Sequence, residues 1–328
     1  VHVNTAFWRL GRSRLKIALA PPTIRDSETL AAFEETARRE GCLLAAAFGA
    51  PLLYRQNGYA FAVPTLGGMQ LRLSQAPSEI PRGYSLRPPT LDDIPAIAAW
   101  YEALVAPLDV WAERAEMSLP GIYVIIRQDE PSGYVRLGHS NQVTAVYELA
   151  ARDVDGLSAA MAFARAEAEK TGAHRMALHL PPTHPALTLA GYVGAETLPD
   201  EAFQGRVLDE RAFLLALAGE LAGRLAGGPM AGFDGRLMID LYARRLALVF
   251  SDGALHEVAP ADSEETWDIL LPPPMAAQLW LGWRSRAELE AWHPDVRVRG
   301  GMQLAIDMLF PKLSAYIYGP PHQEVVAA

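Results

Sequence analysis

A chain of 328 residues, 50% hydrophobic and 20% charged, is long enough for two or three globular domains, each with a substantial core. Its formal charge of -9 argues against a phosphate-neutralising surface, so no nucleic-acid partner is expected. Cys42 is the single cysteine, which rules out an intrachain disulfide, and the most apolar stretch, Phe213 to Leu225, is too short to span a bilayer and is interrupted by Glu220 and Arg224. With no basic segment leading into an apolar run at the start, the expected compartment is the cytoplasm.

The first residues alternate like a strand, Gly11-Arg12 reads as a turn, and Leu15 to Ala20 as a second strand stopped by Pro21-Pro22. Asp26 or Ser27 then caps a helix from Glu28 to Glu40, which Gly41 ends. A buried strand over Leu43 to Phe48, a short helix around Leu52 to Asn57 and a strand near Tyr59 to Val63 follow. The Pro- and Ser-rich loop from Gln75 to Arg82 marks a boundary, so 1–76 and 83–210 read as separate domains. The second opens with a strand at Tyr84 to Pro88 and a Thr90/Asp93 capping box before a helix reaching Val105. A hairpin about Pro131-Ser132-Gly133 and a strand at Val143 to Leu149 come next. Asp155 caps a helix ended by Gly172, and Arg175 to Leu180 is a strand. From Arg211 to the end, 211–328, the pattern is α+β: an amphipathic helix to Leu225, hairpin turns at Asp234-Gly235 and Asp252-Gly253, and helices at Met275 to Leu281, Arg286 to Trp292 and Met302 to Phe310.

A repeat links the first two domains. Ala37 to Gly41, a strand, then Pro51 to Tyr59 reads helix, Gly, strand, short helix, Gly-Tyr; Ala168 to Gly172, a strand, then Pro185 to Tyr192 reads the same. Aligned on the two Gly-Tyr pairs, Tyr54 falls opposite Leu187.

The segment Leu53-Tyr54-Arg55-Gln56-Asn57-Gly58-Tyr59 resembles the closing half of the GNAT acetyltransferases, and Leu86-Arg87-Pro88-Pro89-Thr90-Leu91-Asp92-Asp93-Ile94 looks like that family's first strand and helix. Two such modules followed by a domain carrying Gln278-Leu279-Trp280-Leu281-Gly282-Trp283-Arg284-Ser285 and Leu309-Phe310-Pro311 are similar to the enhanced-intracellular-survival type of acetyltransferase. The resemblance implies an α+β and α/β fold class: two GNAT-like mixed-sheet modules and a sterol-carrier-like α+β domain. It implies transfer of an acetyl group from acetyl-CoA, as co-substrate, to a primary amine on a small molecule or peptide, of aminoglycoside-like, polyamine or lysine type. In it Tyr54 is the acid that protonates the departing thiolate, a task suited to a phenol that is neutral at pH 7. Backbone near Ala18 and Ala20 holds the pantetheine, Arg25, Asp26 and Ser27 lie at the pyrophosphate, and the C-terminal carboxylate, Ala328 here, helps take the amine's proton.

The chain also departs from that pattern. The family's R/Q-x-x-G-x-G/A phosphate loop aligns with Arg25 to Leu30, where Glu28 and Leu30 stand at the glycine positions, and the first module lacks the family's opening strands and helices. In the second module the loop Ala150 to Asp155 contains no glycine, so that copy reads as structural. The tail Gln323 to Ala328 lacks the aromatic end common in the family. Tyr54 therefore reads as the acid or as a half-buried tyrosine packed on a strand. The protein as a whole reads as an N-acetyltransferase or as a catalytically inactive, GNAT-derived binding or scaffold protein, and a homo-oligomer is left open. Cys42 reads as a packed thiol, His174, His179 and His184 as no metal site, and Trp267, Trp280, Trp283 and Trp292 as a core or the wall of a lipid cavity.

Overall fold

The computed structural model describes residues 3–114, 118–140, 142–262 and 264–319. The elements run β1 (Asn4–Leu10), β2 (Ser13–Leu19), α1 (Ser27–Arg39), β3 (Leu44–Ala47), α2 (Pro51–Gln56), β4 (Ala60–Pro64) and β5 (Met69–Arg72). Then come β6 (Tyr84–Arg87), α3 (Ile94–Val105), β7 (Val110–Ala112), β8 (Ile122–Arg127), β9 (Glu130–His139), β10 (Val143–Ala151), α4 (Val154–Thr171), β11 (Arg175–Leu178), α5 (Pro185–Tyr192), β12 (Glu196–Thr197) and β13 (Ala202–Val207). The last part holds α6 (Glu210–Ala216), α7 (Ala218–Ala226), β14 (Gly235–Asp240), β15 (Arg245–Ser251), β16 (Ala254–Ala261), β17 (Ile269–Leu270), α8 (Pro273–Trp280), α9 (Arg286–Trp292), β18 (Arg297–Val298) and α10 (Gln303–Leu309). No described helix is long and apolar enough to cross a membrane.

Among the described residues these strands form three sheets, ordered β4-β13-β3-β2-β1-β7, β12-β5-β11-β10-β9-β8-β6 and β16-β15-β14-β17-β18. Sheet membership crosses the boundary expected near 76. β5 leaves the first part of the chain to pair antiparallel with β11 (Met176 opposite Leu71), while β13 returns between β3 and β4, and β7 adds to the edge of β1. Nothing in the local sequence of β5 or β13 announces a change of sheet; the partners are set by tertiary pairing. Residues 314–317 then pass along the seam: Ala315 bridges Val110, the Ile317 amide donates to the Pro64 carbonyl, and the Thr65 hydroxyl donates to the Ile317 carbonyl at 2.9 Å.

Alternation along the strands sorts the first sheet's two faces. Leu15 and Ile17 of β2 and Leu44 and Ala46 of β3 join one core with Phe213, Trp280 and Phe310 of the last part, against which α6 and α8 pack. Ala18, Ala45 and Ala47 face the other way, where their small side chains admit α1 through Leu30 and Phe33.

The repeat is carried in backbone hydrogen bonds. At the end of α1 the Cys42 amide donates to Ala37 and the Gly41 amide to Arg38; at the end of α4, Ala173 donates to Ala168 and Gly172 to Glu169. β2 and β3 are parallel across α1, and β10 and β11 are parallel across α4. The match through Gly-Tyr, however, is corrected by the structure. Gly58 closes α2 at φ 82, with Tyr59 donating to Tyr54; the same closure after α5 is made by Gly194 at φ 79, with Ala195 donating to Ala190. Because α5 is longer, Gly191 and Tyr192 lie inside the helix, Tyr192 is 85% exposed, and the residue opposite Tyr54 is Ala190 rather than Leu187.

Smaller departures have local causes. Asp153, not Asp155, caps α4, since its carboxylate reaches the Gly156 amide; the helix expected to Leu225 breaks at Leu217 into α6 and α7; Asp234-Gly235 leads into β14, which starts at Gly235, instead of joining two strands. The Thr90/Asp93 box is present and opens as a 3-10 turn, and Asp252-Gly253 does form a hairpin, between β15 and β16.

Gly68 stands where the chain crosses into the second sheet, at φ 83, and a β-carbon there would collide with the Leu178 carbonyl oxygen. Gly68→Ala should therefore lower stability by about 3 kcal/mol or more, whereas Gly172→Ala, with open space around it, should cost about 1 kcal/mol. Denaturant midpoints of the two variants measure the difference.

Candidate active site

The six described candidates, Ala18, Ala20, Arg25, Asp26, Ser27 and Tyr54, gather at one end of the first sheet; Ala328 lies outside the described residues. Ala18 is paired on both sides, opposite Thr5 of β1 and Ala45 of β3, and the Ala20 amide donates to the Ala46 carbonyl at 2.8 Å. Pro21-Pro22 ends the strand and turns the chain into α1.

The start of α1 satisfies itself. Asp26 is the N-cap: Oδ1 accepts from the Thr29 amide at 2.8 Å and Oδ2 from the Thr29 hydroxyl at 2.9 Å, and these bonds hold the carboxyl below its usual range. Glu28 adds a second acid to the first turn. The Arg25 guanidinium folds back onto the carbonyls of Pro22 and Ile24. The Ser27 hydroxyl accepts from Asn57 Nδ2 at 2.9 Å, and the same amide donates to the Leu53 carbonyl, tying the end of α2 to the start of α1.

Tyr54 projects from α2 into this corner and is 2% exposed, its ring 5.3 Å from that of Tyr59. Its hydroxyl makes no hydrogen bond to another described residue. Burial raises its pKa, and the charge of Arg25 partly offsets the rise, so the phenol holds its proton at neutral pH. Behind it, Tyr59 lies beside the buried Glu34, and burial followed by that carboxylate pushes its phenol well above the ordinary value. Glu34 pairs with Arg206 at 3.0 Å and Arg38 at 3.3 Å, and Arg206 also donates to the Asn57 carbonyl at 2.9 Å. Gln204, next on the same face of β13, donates Nε2 to the Gly49 carbonyl, while its buried Oε1 meets no donor among the described residues.

Glu34, Arg206 and Gln204 escaped the sequence reading. Asn57 stood inside the quoted Leu53 to Tyr59 segment, but its bond to Ser27 depends on the packing of α1 against α2. The start of α1 does not fit a diphosphate: the N3 amide is already occupied, Asp26 and Glu28 flank the helix start, and Arg25 is turned to backbone.

The corresponding start of α4 is closed in the same way. Asp153 Oδ1 accepts from the Gly156 amide at 2.8 Å and from the Tyr84 hydroxyl at 2.7 Å, with Arg127 3.4 Å from Oδ2. His184 receives the Ala186 amide on Nδ1 and donates Nε2–H to the Leu149 carbonyl at 2.8 Å, and burial lowers its pKa; His179 is bonded to the Gly67 carbonyl at 3.0 Å. Cys42 is buried and its thiol pKa is raised by desolvation. The buried carboxylate of Glu148 is held by Arg114, by Arg136 at 2.9 Å and by the Tyr134 hydroxyl at 2.7 Å, which reads as a brace across β9 and β10.

No protein-family model matches the chain, and neither does any curated protein. Solved structures do. A GCN5-related N-acetyltransferase from Kribbella flavida matches with a TM-score of 0.67 at 18% identity, over 96% of this chain and 82% of that one. One from Anabaena variabilis ATCC 29413 matches with a TM-score of 0.66 at 14% identity, over 96% and 84%. Eis1 from Mycobacterium abscessus matches with a TM-score of 0.56 at 18% identity, over 96% and 84%. The chain thus has a mixed α+β fold that is the fold of GCN5-related N-acetyltransferases.

The raised phenols have a consequence for stability. A group whose folded pKa lies above its unfolded value contributes stability below the unfolded pKa and loses it as pH rises through the folded one. For Tyr54 and Tyr59 that window opens near pH 10 and extends upward. The urea midpoint should fall above pH 10, and Tyr59→Phe should fall less steeply there than the parent.

Proposed function

We propose that the chain is an N-acyltransferase that moves an acetyl group from acetyl-CoA to a primary amine, with Tyr54 as general acid and with weakened donor binding. The observation that carries the reading is the Tyr54 phenol: buried, held protonated, free of hydrogen bonds to the described residues, and set between the ends of α1 and α2 on the acetyltransferase fold. Acetyl-CoA would supply the activated acetyl group. This chain's part is to hold a proton at the Tyr54 oxygen and to exclude water with the Ala18, Ala47 and Phe33 packing around it. A cationic acceptor of aminoglycoside-like, polyamine or lysine type suits the charge of -9.

Arg25, Asp26 and Ser27, expected at the diphosphate, are engaged within the chain and are not given that role, whereas the roles of Ala18 and Ala20 at the pantetheine belong to the same proposal. So do the cytoplasmic setting, a homo-oligomer, and a chain read as two acetyltransferase-type units that exchange strands, followed from about 211 by a sterol-carrier-like unit. What supports that last unit is its separate five-stranded sheet, covered by α6 and α7. A second reading, an inactive binding or scaffold protein on the same fold, is favoured by one specific observation, the Asp26 cap with Glu28 beside it.

Kinetics with acetyl-CoA and a polyamine decide between them. Tyr54→Phe keeps the ring packing and removes the proton, so kcat should fall by about 10²–10⁴ with little change in KM for acetyl-CoA. Glu28→Gly and Asp26→Ser, the second keeping an N-cap without its charge, should tighten acetyl-CoA binding in calorimetry. An unaltered rate in Tyr54→Phe removes Tyr54 from the mechanism. If neither the parent nor the two helix-start variants bind acetyl-CoA, the scaffold reading stands.

A further inference from the structure

β7 follows α3 in the chain but pairs with β1, Trp111 lying opposite Arg9. Trp8, Leu10 and Val110 face the core shared with the last part, so strand alternation puts Arg9 and Trp111 on the other face. There Arg9, Gly11, Trp111, Glu113 and Arg114 meet Glu102 of α3 around a hollow of about 380 Å³, within the usual size of small-molecule sites. It lies beside the β1–β2 turn, whereas Ala18, Ala20 and Tyr54 gather about the far end of β2. The turn is anchored on two sides. The Gly11 amide donates to the Asp109 carbonyl at 2.8 Å, and the Arg12 amide to the Glu220 carboxylate of α7 at 3.1 Å. That wall is therefore preorganised for a ligand.

The walls differ in charge. Glu113 accepts from Arg9 Nε on one carboxylate oxygen and from Arg14 Nε, at 2.7 Å, on the other. Two guanidinium groups thus share one carboxylate, and the strand side keeps a net positive charge. Arg114 is turned to the buried Glu148, which Arg136 also holds, and its guanidinium lies over the Tyr101 ring. On the helix side Glu102 is exposed, with no ion pair or hydrogen bond to another described residue. Trp111, half-buried, adds an aromatic surface. A simple anion in this hollow would meet Glu102, and a simple cation would meet the paired guanidinium groups. A ligand with a charge of each sign complements both walls.

We propose that the hollow binds a zwitterionic α-amino acid with an aromatic side chain, its carboxylate at Arg9, its ammonium at Glu102 and its ring against Trp111. The site uses no group assigned to acyl transfer, so its fate is independent of that reading.

L-Phenylalanine titrated calorimetrically into the full chain is the test. Saturable binding at one site is expected. 3-Phenylpropionate, which lacks the ammonium, and 2-phenylethylamine, which lacks the carboxylate, should each bind at least tenfold more weakly. Glu102→Gln should weaken L-phenylalanine at least tenfold and leave 3-phenylpropionate unchanged, since only the amino acid carries the group that Glu102 receives. Glu102 is exposed, so this variant should keep the parent's melting temperature. Trp111→Leu should also weaken the amino acid, and if it loses its fold, Glu102→Gln decides alone. Absence of saturable binding overturns the proposal, as does L-phenylalanine binding unchanged in Glu102→Gln. Equally tight binding of either singly charged probe overturns it too. Binding that Tyr54→Phe abolishes and Glu102→Gln does not would place the amino acid in the acyl-transfer corner and end the proposal.

Discussion

The insertion of β13 between β3 and β4 is the constraint on which the first unit depends. Among the described residues β4 pairs in the first sheet with β13 alone, so without that strand neither β4 nor α2, which leads into it, would be anchored to the sheet. β13 also delivers Arg206, whose guanidinium joins Glu34 of α1 to the Asn57 carbonyl at the end of α2. Tyr54 is thus held from three directions: by its own short helix, by the Asn57 bond to Ser27, and by a charge pair whose carboxylate is 3% exposed. Removing one partner of such a pair leaves the other unpaired in a desolvated place, which costs more than the pair contributes. The phenol's position is therefore a property of the whole two-sheet assembly, with β5 given to the second sheet as the counterpart of β13 received.

At both helix starts, one physical competition decides what can bind. The first amides of a helix are satisfied by a ligand's oxygens or by the chain's own cap, and a carboxylate cap also neutralises the positive end of the dipole. Asp26 on α1 and Asp153 on α4 take the second course, each accepting at 2.8 Å from an N3 amide. Stability of the isolated helix and affinity for a diphosphate pull in opposite directions here. On α1 the helix start is closed while Tyr54 stands one turn before Gly58; on α4 the start is closed too, and Ala190 takes the place of Tyr54.

Most of what is local was legible in the sequence. Proline at Pro21-Pro22, the Thr90/Asp93 box, and the strand alternation of Leu15 to Ala20 place elements within a few residues of where they lie. The general position of the candidate site was legible too, because Tyr54, Arg25 and Ala18 sit on consecutive elements of one crossover. What failed was non-local. β5 and β13 are short, and the Gly67-Gly68 turn before β5 names no partner strand, so their choice of sheet cannot be read from their residues. Gly191-Tyr192 mimicked Gly58-Tyr59 in letters, yet the residue that must adopt a positive φ is set by helix length, and α5 is the longer helix. The bonds of Arg206 and Asn57 likewise depend on which elements meet.

One backbone plan appears twice in the chain, once in each unit, and is filled differently each time. Each has a strand, a helix, a parallel strand and a short helix closed by a glycine, with the same hydrogen bonds at each closure. In the first, alanines at Ala18, Ala45 and Ala47 let α1 lie close to the sheet, and Tyr54 fills the corner, so the gap between the strands is used by protein. In the second, a bulge bends β10 away from β11, His184 props the gap, and no aromatic side chain from α5 enters it. A propped and unfilled gap is a cleft, while a filled one is a site for a single buried hydroxyl. The difference lies in which side chain stands one turn before the closing glycine: tyrosine at 54, alanine at 190.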